Sequence, residues 1–209
     1  ITTDCAISAE MLQKALYETV AGTYNCVSID GDTSTNDTLT ILANGMAGNE
    51  EITADGEDYR KFLDALNIMN TIMAMKIAAD GEGASRLIEC SVTGAKDVQT
   101  ARGLAKEVIR SNLVKAAMFG KDANWGRILC AMGYSGYEFT PEKTSVFFSS
   151  RKHAKRFFEV EGAEAVQIAG TSASDEEIEV FRNGVPLDFD EEKAGRIQKE
   201  EAGEIAEKT

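Results

Sequence analysis

A dense polar cluster lies within IDGDTSTNDT, residues Ile29–Thr38, and carries the oxygen-bearing side chains that could bind a metal ion. Several of them alternate along the chain as the first ligands of a calcium loop do: Asp30, Asp32, Ser34 and Asn36. The sixth position of such a loop is Thr35 rather than glycine, and the twelfth is Ile41 rather than glutamate. The cluster therefore does not match an EF-hand.

Two interpretations of this cluster remain open after the calcium loop is excluded. Asp30 and Asp32 could bind magnesium through their carboxylates. Alternatively, the Asp, Ser, Thr and Asn side chains accept hydrogen bonds from nearby backbone amides and fix a tight connection between two apolar elements. The residue chemistry favours the second interpretation, so no metal site is predicted.

Glu82 stands between two glycines in DGEG, residues Asp80–Gly83. The segment follows a helical pattern and lacks a third glycine, so it is neither a Walker loop nor a Rossmann turn. A carboxylate on a turn that lets backbone approach closely could receive the cationic group of a substrate. From composition alone, a solvated turn residue is the simpler interpretation.

Nucleophilic catalysis by a serine–histidine pair finds no support in this chain. The single histidine, His153, lies in the basic run SSRKHAKRFF, and no GxSxG motif occurs. Acyl chemistry without histidine or metal can use a chain-terminal threonine or serine whose own α-amine is the base. The sequence begins at Ile1 rather than at methionine, which predicts a processed product, one subunit of a cut precursor or a trimmed segment.

The elements that would position these residues alternate between helix and strand patterns. Helices are predicted from Ser8 onward, over 55–79 and over 96–119, and a short helix capped by Asp122 or Asn124 carries Trp125. Strands are predicted at 26–29, 38–43, 86–92 and 144–148, with an Asn-Gly hairpin at 180–185 and a charged helix at 191–208. The pattern over 55–79 is apolar almost all round in its later turns, which predicts burial on several sides. The order indicates an α/β fold of the layered α+β type.

Composition excludes several classes of protein. The chain has 22 basic and 35 acidic residues, for a net charge of −13, and such a chain is repelled by nucleic-acid phosphates. No apolar run reaches the length that spans a bilayer, so no membrane association is expected. The four cysteines form no CxxC pair, which is typical of thiols in a reducing cytoplasm.

Four motifs in this order resemble the β chain of ornithine acetyltransferase, the bifunctional glutamate N-acetyltransferase of cyclic arginine biosynthesis. They are ITTDCAIS (Ile1–Ser8), IDGDTSTNDT (Ile29–Thr38), DGEG (Asp80–Gly83) and KDANWGRIL (Lys121–Leu129). The resemblance covers about the first 150 residues, leaves 150–177 unaligned, and ends with a hairpin and helix at 178–209. The family's last segment has no counterpart within the 209 residues.

The resemblance implies an enzyme that cuts its own precursor into an α and a β chain. The new terminal threonine of the β chain takes acetyl from N-acetylornithine and passes it to glutamate by a ping-pong route. That nucleophile is expected just upstream of Ile1, so no catalytic residue is assigned within this chain, and Thr2 and Thr3 are not nominated. No cofactor is implied, although many members accept acetyl-CoA as a co-substrate.

The resemblance also implies the assembly, the location and the site residues. Members are cytoplasmic heterotetramers of two α and two β chains, with the layered fold of the self-cleaving aminopeptidases. Glu82 matches the family's substrate-binding glutamate and would face the δ-ammonium of N-acetylornithine. Supporting positions are Asp30, Asp32, Asn36, Asp37, Asn124 and Arg127, with Asp32 or Asn36 bonding backbone near the nucleophile's strand and Arg127 in an ion pair or an interface.

Two other functions are compatible with the same residues. A self-processed aminopeptidase would keep the fold and the terminal nucleophile and would release amines from peptide amides. A scaffold subunit would leave all chemistry to its partner. The DGEG carboxylate and the Ile29–Thr38 signature favour the acetyltransferase.

Overall fold

A computed structural model of the chain describes residues 1–150, 166–170 and 177–188. The chain divides into two compact units, residues 1–80 and 81–209, with the division inside the DGEG segment. Each unit mixes helices with strands, and the predicted α/β class is confirmed.

The first unit contains two helices and a minimal parallel sheet. Its elements are β1 (Thr2–Thr3), α1 (Ala9–Val20), a 3₁₀ turn (Tyr24–Cys26), β2 (Leu42–Ala43) and α2 (Glu57–Ala79). Strands β1 and β2 pair in parallel, with Thr2 opposite Leu42 and Thr3 opposite Ala43. The N-terminal segment continues past β1 to a parallel bridge between Ile7 and Ile52.

Helix α1 begins where the sequence predicts it. The hydroxyl of Ser8 accepts a hydrogen bond from the backbone N–H of Met11, which satisfies one of the free amides of the first turn. The apolar side of α1 then packs with α2 and with residues on both sides of β2. The buried members of this core are Ile7, Met11, Ala15, Ile41, Ile52, Tyr59 and Leu66.

A buried polar contact also links the two helices of the first unit. Asn70, on α2, is fully buried, and its side-chain N–H donates to the hydroxyl of Thr19 on α1 at 2.9 Å. The Thr19 hydroxyl in turn donates to the carbonyl of Ala15 at 2.9 Å. Because buried polar groups are costly unless paired, this chain of hydrogen bonds fixes the register of α1 on α2.

The described part of the second unit is a mixed sheet with three helices. Its elements are β3 (Ile88–Val92), α3 (Val98–Arg110), α4 (Asn112–Phe119), α5 (Trp125–Gly133), a 3₁₀ turn (Pro141–Lys143), β4 (Val146–Ser150), β5 (Val166–Gly170), β6 (Glu177–Arg182) and β7 (Val185–Pro186). The strand order is β3-β5-β4-β6-β7. Only β4 and β5 run parallel; the other neighbouring pairs are antiparallel.

One apolar core joins the helices to the sheet in this unit. It contains residues from α3, α4, α5, β4 and β6, so the helices form a layer against the strands: Leu104, Val108, Val114, Met118, Ala123, Ile128, Ala131, Met132, Val146, Phe148 and Phe181. Asp97 caps α3 by accepting from the N–H of Thr100 at 2.7 Å. Hydrogen bonds from Thr100 lower the pKa of the Asp97 carboxyl, because they stabilise its charged form.

Several boundaries differ from the sequence predictions. The strand predicted at 26–29 is wrong, since the chain there leaves a 3₁₀ turn and enters a loop. The helix predicted over 96–119 is two helices, because Ser111 takes an extended conformation and its side chain caps α4. The Asn183-Gly184 hairpin is confirmed, with positive φ at both residues. The helix predicted at 191–208 lies outside the described residues.

Helix α2 is buried on one side only, contrary to the prediction. Four of its 23 residues are buried: Tyr59, Leu66, Asn70 and Ala74. Large apolar side chains in its later turns are exposed. By length and composition α2 could cross a membrane, which corrects the statement that no apolar run is long enough. Its buried side contributes Tyr59 and Leu66 to the core that it shares with α1.

Candidate functional site

The signature cluster forms an exposed loop between the first 3₁₀ turn and β2. Asp30 accepts a hydrogen bond through its carboxylate from the N–H of Asp32 at 2.8 Å. The Ser34 hydroxyl accepts from the N–H of Asn36 at 3.1 Å. Both are local turns in which a polar side chain replaces a backbone acceptor.

The other described side-chain bonds of this loop are equally local. The hydroxyl of Thr35 donates to the Asn36 side-chain oxygen at 3.0 Å, and the hydroxyl of Thr38 donates to the Asn36 carbonyl at 3.1 Å. These bonds support the interpretation of the cluster as a rigid connection. They hold the loop to itself, and the predicted bond from Asp32 or Asn36 to the strand near Ile1 is not among the described contacts. Asp37 is exposed at the end of the loop.

The downstream end of the loop lies beside the start of the chain. The backbone nitrogen of Ile1 donates to the carbonyl of Thr40 at 2.8 Å, and the carbonyl of Ile1 accepts from the N–H of Leu42 at 3.0 Å. One step further, the N–H of Asn44 donates to the carbonyl of Thr3 at 3.2 Å. This parallel ladder places the residues that follow the signature directly against the first residues of the sequence.

Glu82 occupies the tip of a tight turn in the second unit. The carbonyl of Gly81 accepts from the N–H of Ala84 at 2.9 Å, which closes the turn. Gly83 has φ +69°, a left-handed conformation that a residue with a side chain rarely adopts. Glu82 is exposed and makes no ion pair with a described residue. Among the residues that the structure describes, none therefore competes with a substrate cation for this carboxylate.

The segment Lys121–Leu129 joins α4 to α5 through a compact loop. Lys121 adopts a left-handed φ of 61°, and the N–H of Asp122 returns to the carbonyl of Ala117 at 2.9 Å. Asn124 caps α5, because its side-chain oxygen accepts from the backbone N–H of Arg127 at 3.1 Å. Its side-chain NH₂ group donates to the Asp122 carboxylate at 2.8 Å. Asn124 is therefore the N-cap residue of α5, one of the two caps that the sequence predicted.

Trp125 and Arg127 have different surroundings in this segment. The Trp125 ring stacks on Phe181 of β6, with centroids 5.0 Å apart and planes inclined by 25°. This agrees with the packing expected of a half-buried aromatic residue. Arg127 is exposed, and no ion pair between it and another described residue is seen. The ion-pair alternative for Arg127 therefore gains no support within the described residues, and the interface alternative stays a prediction.

The predicted site residues fall in both units. The Asp30–Asp37 cluster belongs to the first unit, and Glu82, Asn124 and Arg127 belong to the second. Among the described residues, no group of three acidic, histidine or cysteine side chains could hold a metal ion. That no metal takes part stays a prediction.

Sequence reasoning missed the pairing of β1 with the end of the signature loop. Its signal was present as the β-branched runs at Thr2–Thr3 and Thr40–Ile41, but two such short runs do not reveal their partner. Parallel pairing between segments some 40 residues apart has no local turn to mark it.

Comparison with known proteins matches the chain to the ArgJ family over residues 1–206. It is 44% identical over 197 residues to the arginine biosynthesis bifunctional protein ArgJ 1 of Clostridium acetobutylicum, covering 94% of this chain and 43% of that protein. It is 41% identical over 205 residues to the arginine biosynthesis bifunctional protein ArgJ of Thermotoga neapolitana, covering 98% of this chain and 46% of that one. The chain thus spans less than half the length of these relatives.

Comparison with solved structures also finds a protein of this family. The arginine biosynthesis bifunctional protein argJ of Bacillus halodurans matches with a TM-score of 0.68 and 35% identity, over 93% of this chain and 97% of the matched chain. The matched chain is therefore close to this one in length, while the curated relatives are more than twice as long. By sequence and by fold, the chain belongs to the ArgJ family.

Proposed function

We propose that this chain is the β-chain portion of a glutamate N-acetyltransferase of arginine biosynthesis, which transfers acetyl from N-acetylornithine to glutamate. Membership of the ArgJ family supports this, since the relatives are named arginine biosynthesis bifunctional proteins. The observation that carries the proposal is the parallel ladder between the first residues and the end of the signature loop.

The ladder gives the signature loop a defined relation to the proposed nucleophile. Thr2 lies opposite Leu42, so a residue preceding Ile1 would continue the register toward Thr40 and Leu39. A threonine a few residues upstream would therefore lie alongside the loop of Ile29–Thr38. A loop held by its own hydrogen bonds would keep that wall of the site in place, because positioning groups act only if they are themselves fixed.

The chemistry follows from a terminal threonine as nucleophile. Its α-amine takes the proton of the hydroxyl, and the oxygen attacks the acetyl carbonyl of N-acetylornithine. Donors outside this chain would stabilise the oxyanion. The amine of ornithine leaves with a proton, and the amine of glutamate then attacks the acetyl-threonine ester and restores the free hydroxyl. No cofactor is required, and acetyl-CoA would enter as an alternative donor at the first step.

Glu82 would select the donor substrate. N-acetylornithine retains a free δ-ammonium, which glutamate lacks, and a carboxylate is the natural partner for that cation. The exposed position of Glu82 on a closed turn, without a described ionic partner, supports this role. Binding in a partly desolvated pocket would strengthen the contact.

The proposal includes a partner and a location. An α chain from the same precursor would supply the remainder of the site, in a heterotetramer of two α and two β chains in the cytoplasm. The length of the relatives, more than twice the matched region, supports a second polypeptide portion.

An activity assay tests the proposal against its alternatives. The full-length precursor gene should be expressed, and the purified product given N-acetylornithine and glutamate in one reaction and peptide amides in another. We expect N-acetylglutamate and ornithine in equal amounts, and no amine release from peptide amides. Release of amines without acetyl transfer would favour the aminopeptidase, and neither reaction would favour a scaffold.

A further inference from the structure

Helix α2 carries an exposed apolar face that adjoins the side making its core contacts. Five large side chains there are between 39% and 60% exposed. They are Ile68, Met69, Ile72, Met73 and Ile77, here called the α2 stripe. At 100° per residue the first four fall within about 140° of the helix circumference, next to the buried side formed by Leu66, Asn70 and Ala74. Ile77 lies in line with that buried side but near the end of the helix, where it is exposed.

Such a stripe is unusual for a surface that faces water. Isolated exposed apolar residues are normal, but a contiguous row on one helix marks an interaction surface. Methionine is enriched in the centres of protein interfaces and charge is depleted there, and only Lys76 interrupts this stretch of the helix. The composition of the stripe therefore resembles an interface.

The same unit contains a sheet that is too small to stand alone. Strands β1 and β2 have two residues each and pair in parallel, and parallel strands occur almost only in larger sheets covered on both faces. Leu42, on β2, is 62% exposed. The sheet and the stripe together indicate that further polypeptide completes this unit.

We propose that the α2 stripe is the surface on which the other polypeptide portion of this protein packs, namely the part corresponding to the remainder of its relatives' sequences. This inference rests on the two-portion assembly of the proposed function. More than half of each relative's length lies outside the matched region, which is ample chain to cover one helix face. A lipid surface fits less well, because a chain with a net charge of −13 is repelled by anionic membranes.

Oxidation of Met69 and Met73 measures whether the α2 stripe is covered in the assembled protein. Methionine oxidation by hydroxyl radicals follows the exposure of the side chain to solvent. In the assembled native protein, we expect both residues to oxidise at least about tenfold more slowly than in the urea-unfolded protein. Met132, which is 1% exposed within this chain, provides the protected reference. Oxidation of Met69 and Met73 at the unfolded rate would overturn the proposal.

A photo-crosslinker at position 72 identifies the occupant. An adduct to the other portion of the protein supports the proposal. An adduct to a second copy of this chain, to residues of this same chain, or to lipid overturns it. Acetyl transfer assayed on the same sample separates the two claims: protected methionines without transfer would contradict the proposed function alone, and transfer with freely oxidised methionines would contradict the docking surface alone.

A charge placed in the stripe should weaken the assembly. With a tag on the other polypeptide, we expect Ile72→Asp to lower the recovery of this chain at least about tenfold, since a charge in a desolvated interface core is strongly unfavourable. Tyr17→Asp, which places the same charge at a 72% exposed position on α1, is the matched control and should recover normally. Equal recovery of both variants would overturn the proposal, even where Ile72→Asp alters stability.

Discussion

Trp125 stacks on Phe181, so a residue of the Lys121–Leu129 segment is fastened to a strand that lies more than fifty positions further along the chain. Trp125 is the first residue of α5, directly after the Asn124 cap. The cap fixes where α5 begins, and the stacked rings fix how α5 lies on the sheet. This segment therefore acts as an anchor of the second unit.

Removing the stacked ring should destabilise the second unit. Trp125→Ala is expected to cost about 3 kcal/mol, the lower end of the range for aromatic-to-alanine changes, because the ring is only half-buried. Trp125→Phe keeps a stacked ring and should cost about 1 kcal/mol. Urea unfolding followed by circular dichroism measures both. Equal midpoints for the wild type and Trp125→Ala would show that the stack contributes nothing.

Gly103 offers a prediction in which two effects oppose each other. Alanine is favoured over glycine within a helix by about 1 kcal/mol, so Gly103→Ala would ordinarily stabilise α3. A Cβ at this position would meet the ring of Tyr137, which packs against the core, so the ring must move. Displacing it costs about 1–3 kcal/mol, and we expect a net loss of stability.

A double-mutant cycle checks the cause of that loss. In a Tyr137→Ala background the ring is gone, and Gly103→Ala should become neutral or stabilising. Thermal unfolding of the four proteins gives the coupling. The same loss in both backgrounds would rule out the ring as the reason.

Glu82→Gln should impair use of the donor substrate. Losing a charge-assisted hydrogen bond to the δ-ammonium costs about 1.5–3 kcal/mol, so the KM for N-acetylornithine should rise roughly ten- to hundredfold. The KM for glutamate should stay within about twofold, because glutamate has no second ammonium group. Steady-state kinetics with each substrate varied in turn measures both values.

The control for Glu82→Gln is the same substitution at another exposed glutamate. Glu138→Gln alters another exposed carboxylate of the second unit, one whose partner is Lys96. It should leave both KM values unchanged. An unaltered KM for N-acetylornithine in Glu82→Gln would remove Glu82 from the site.

The signature loop should respond to the loss of its own hydrogen bonds. Asp30→Ala removes the acceptor for the N–H of Asp32 and should loosen the loop, lowering turnover more than stability because the loop is exposed. Asp30→Asn keeps an oxygen acceptor and should retain most of the activity. Asp32→Ala tests the supporting role predicted for that residue. Normal precursor cleavage, stability and turnover in Asp32→Ala would show that prediction to be wrong.

Local chemistry explains which features could be predicted from the sequence. Ser8 and Asn124 cap helices through their own side chains, and Asn183-Gly184 forms a hairpin because both residues tolerate positive φ. The information for each lies within four residues. The same holds for the Gly83 turn that presents Glu82.

Features that depend on distant segments could not be predicted in this way. The β3-β5-β4 strand order joins segments separated by a long stretch of sequence, and no local signal specifies which strands become neighbours. The later turns of α2 were expected to be buried because their residues are apolar almost all round. An apolar pattern indicates that a surface favours burial, but it does not say which polypeptide covers that surface. The described part of the chain covers only one side of α2.

The central claim is that an acetyl group is carried on the chain that contains ITTDCAIS. The purified native protein should be analysed by intact-mass spectrometry before and after brief exposure to N-acetylornithine without glutamate. We predict that this chain gains the mass of one acetyl group, located by fragmentation upstream of Ile1, and loses it when glutamate is added. A cleaved and folded protein that gains no acetyl group would contradict the account.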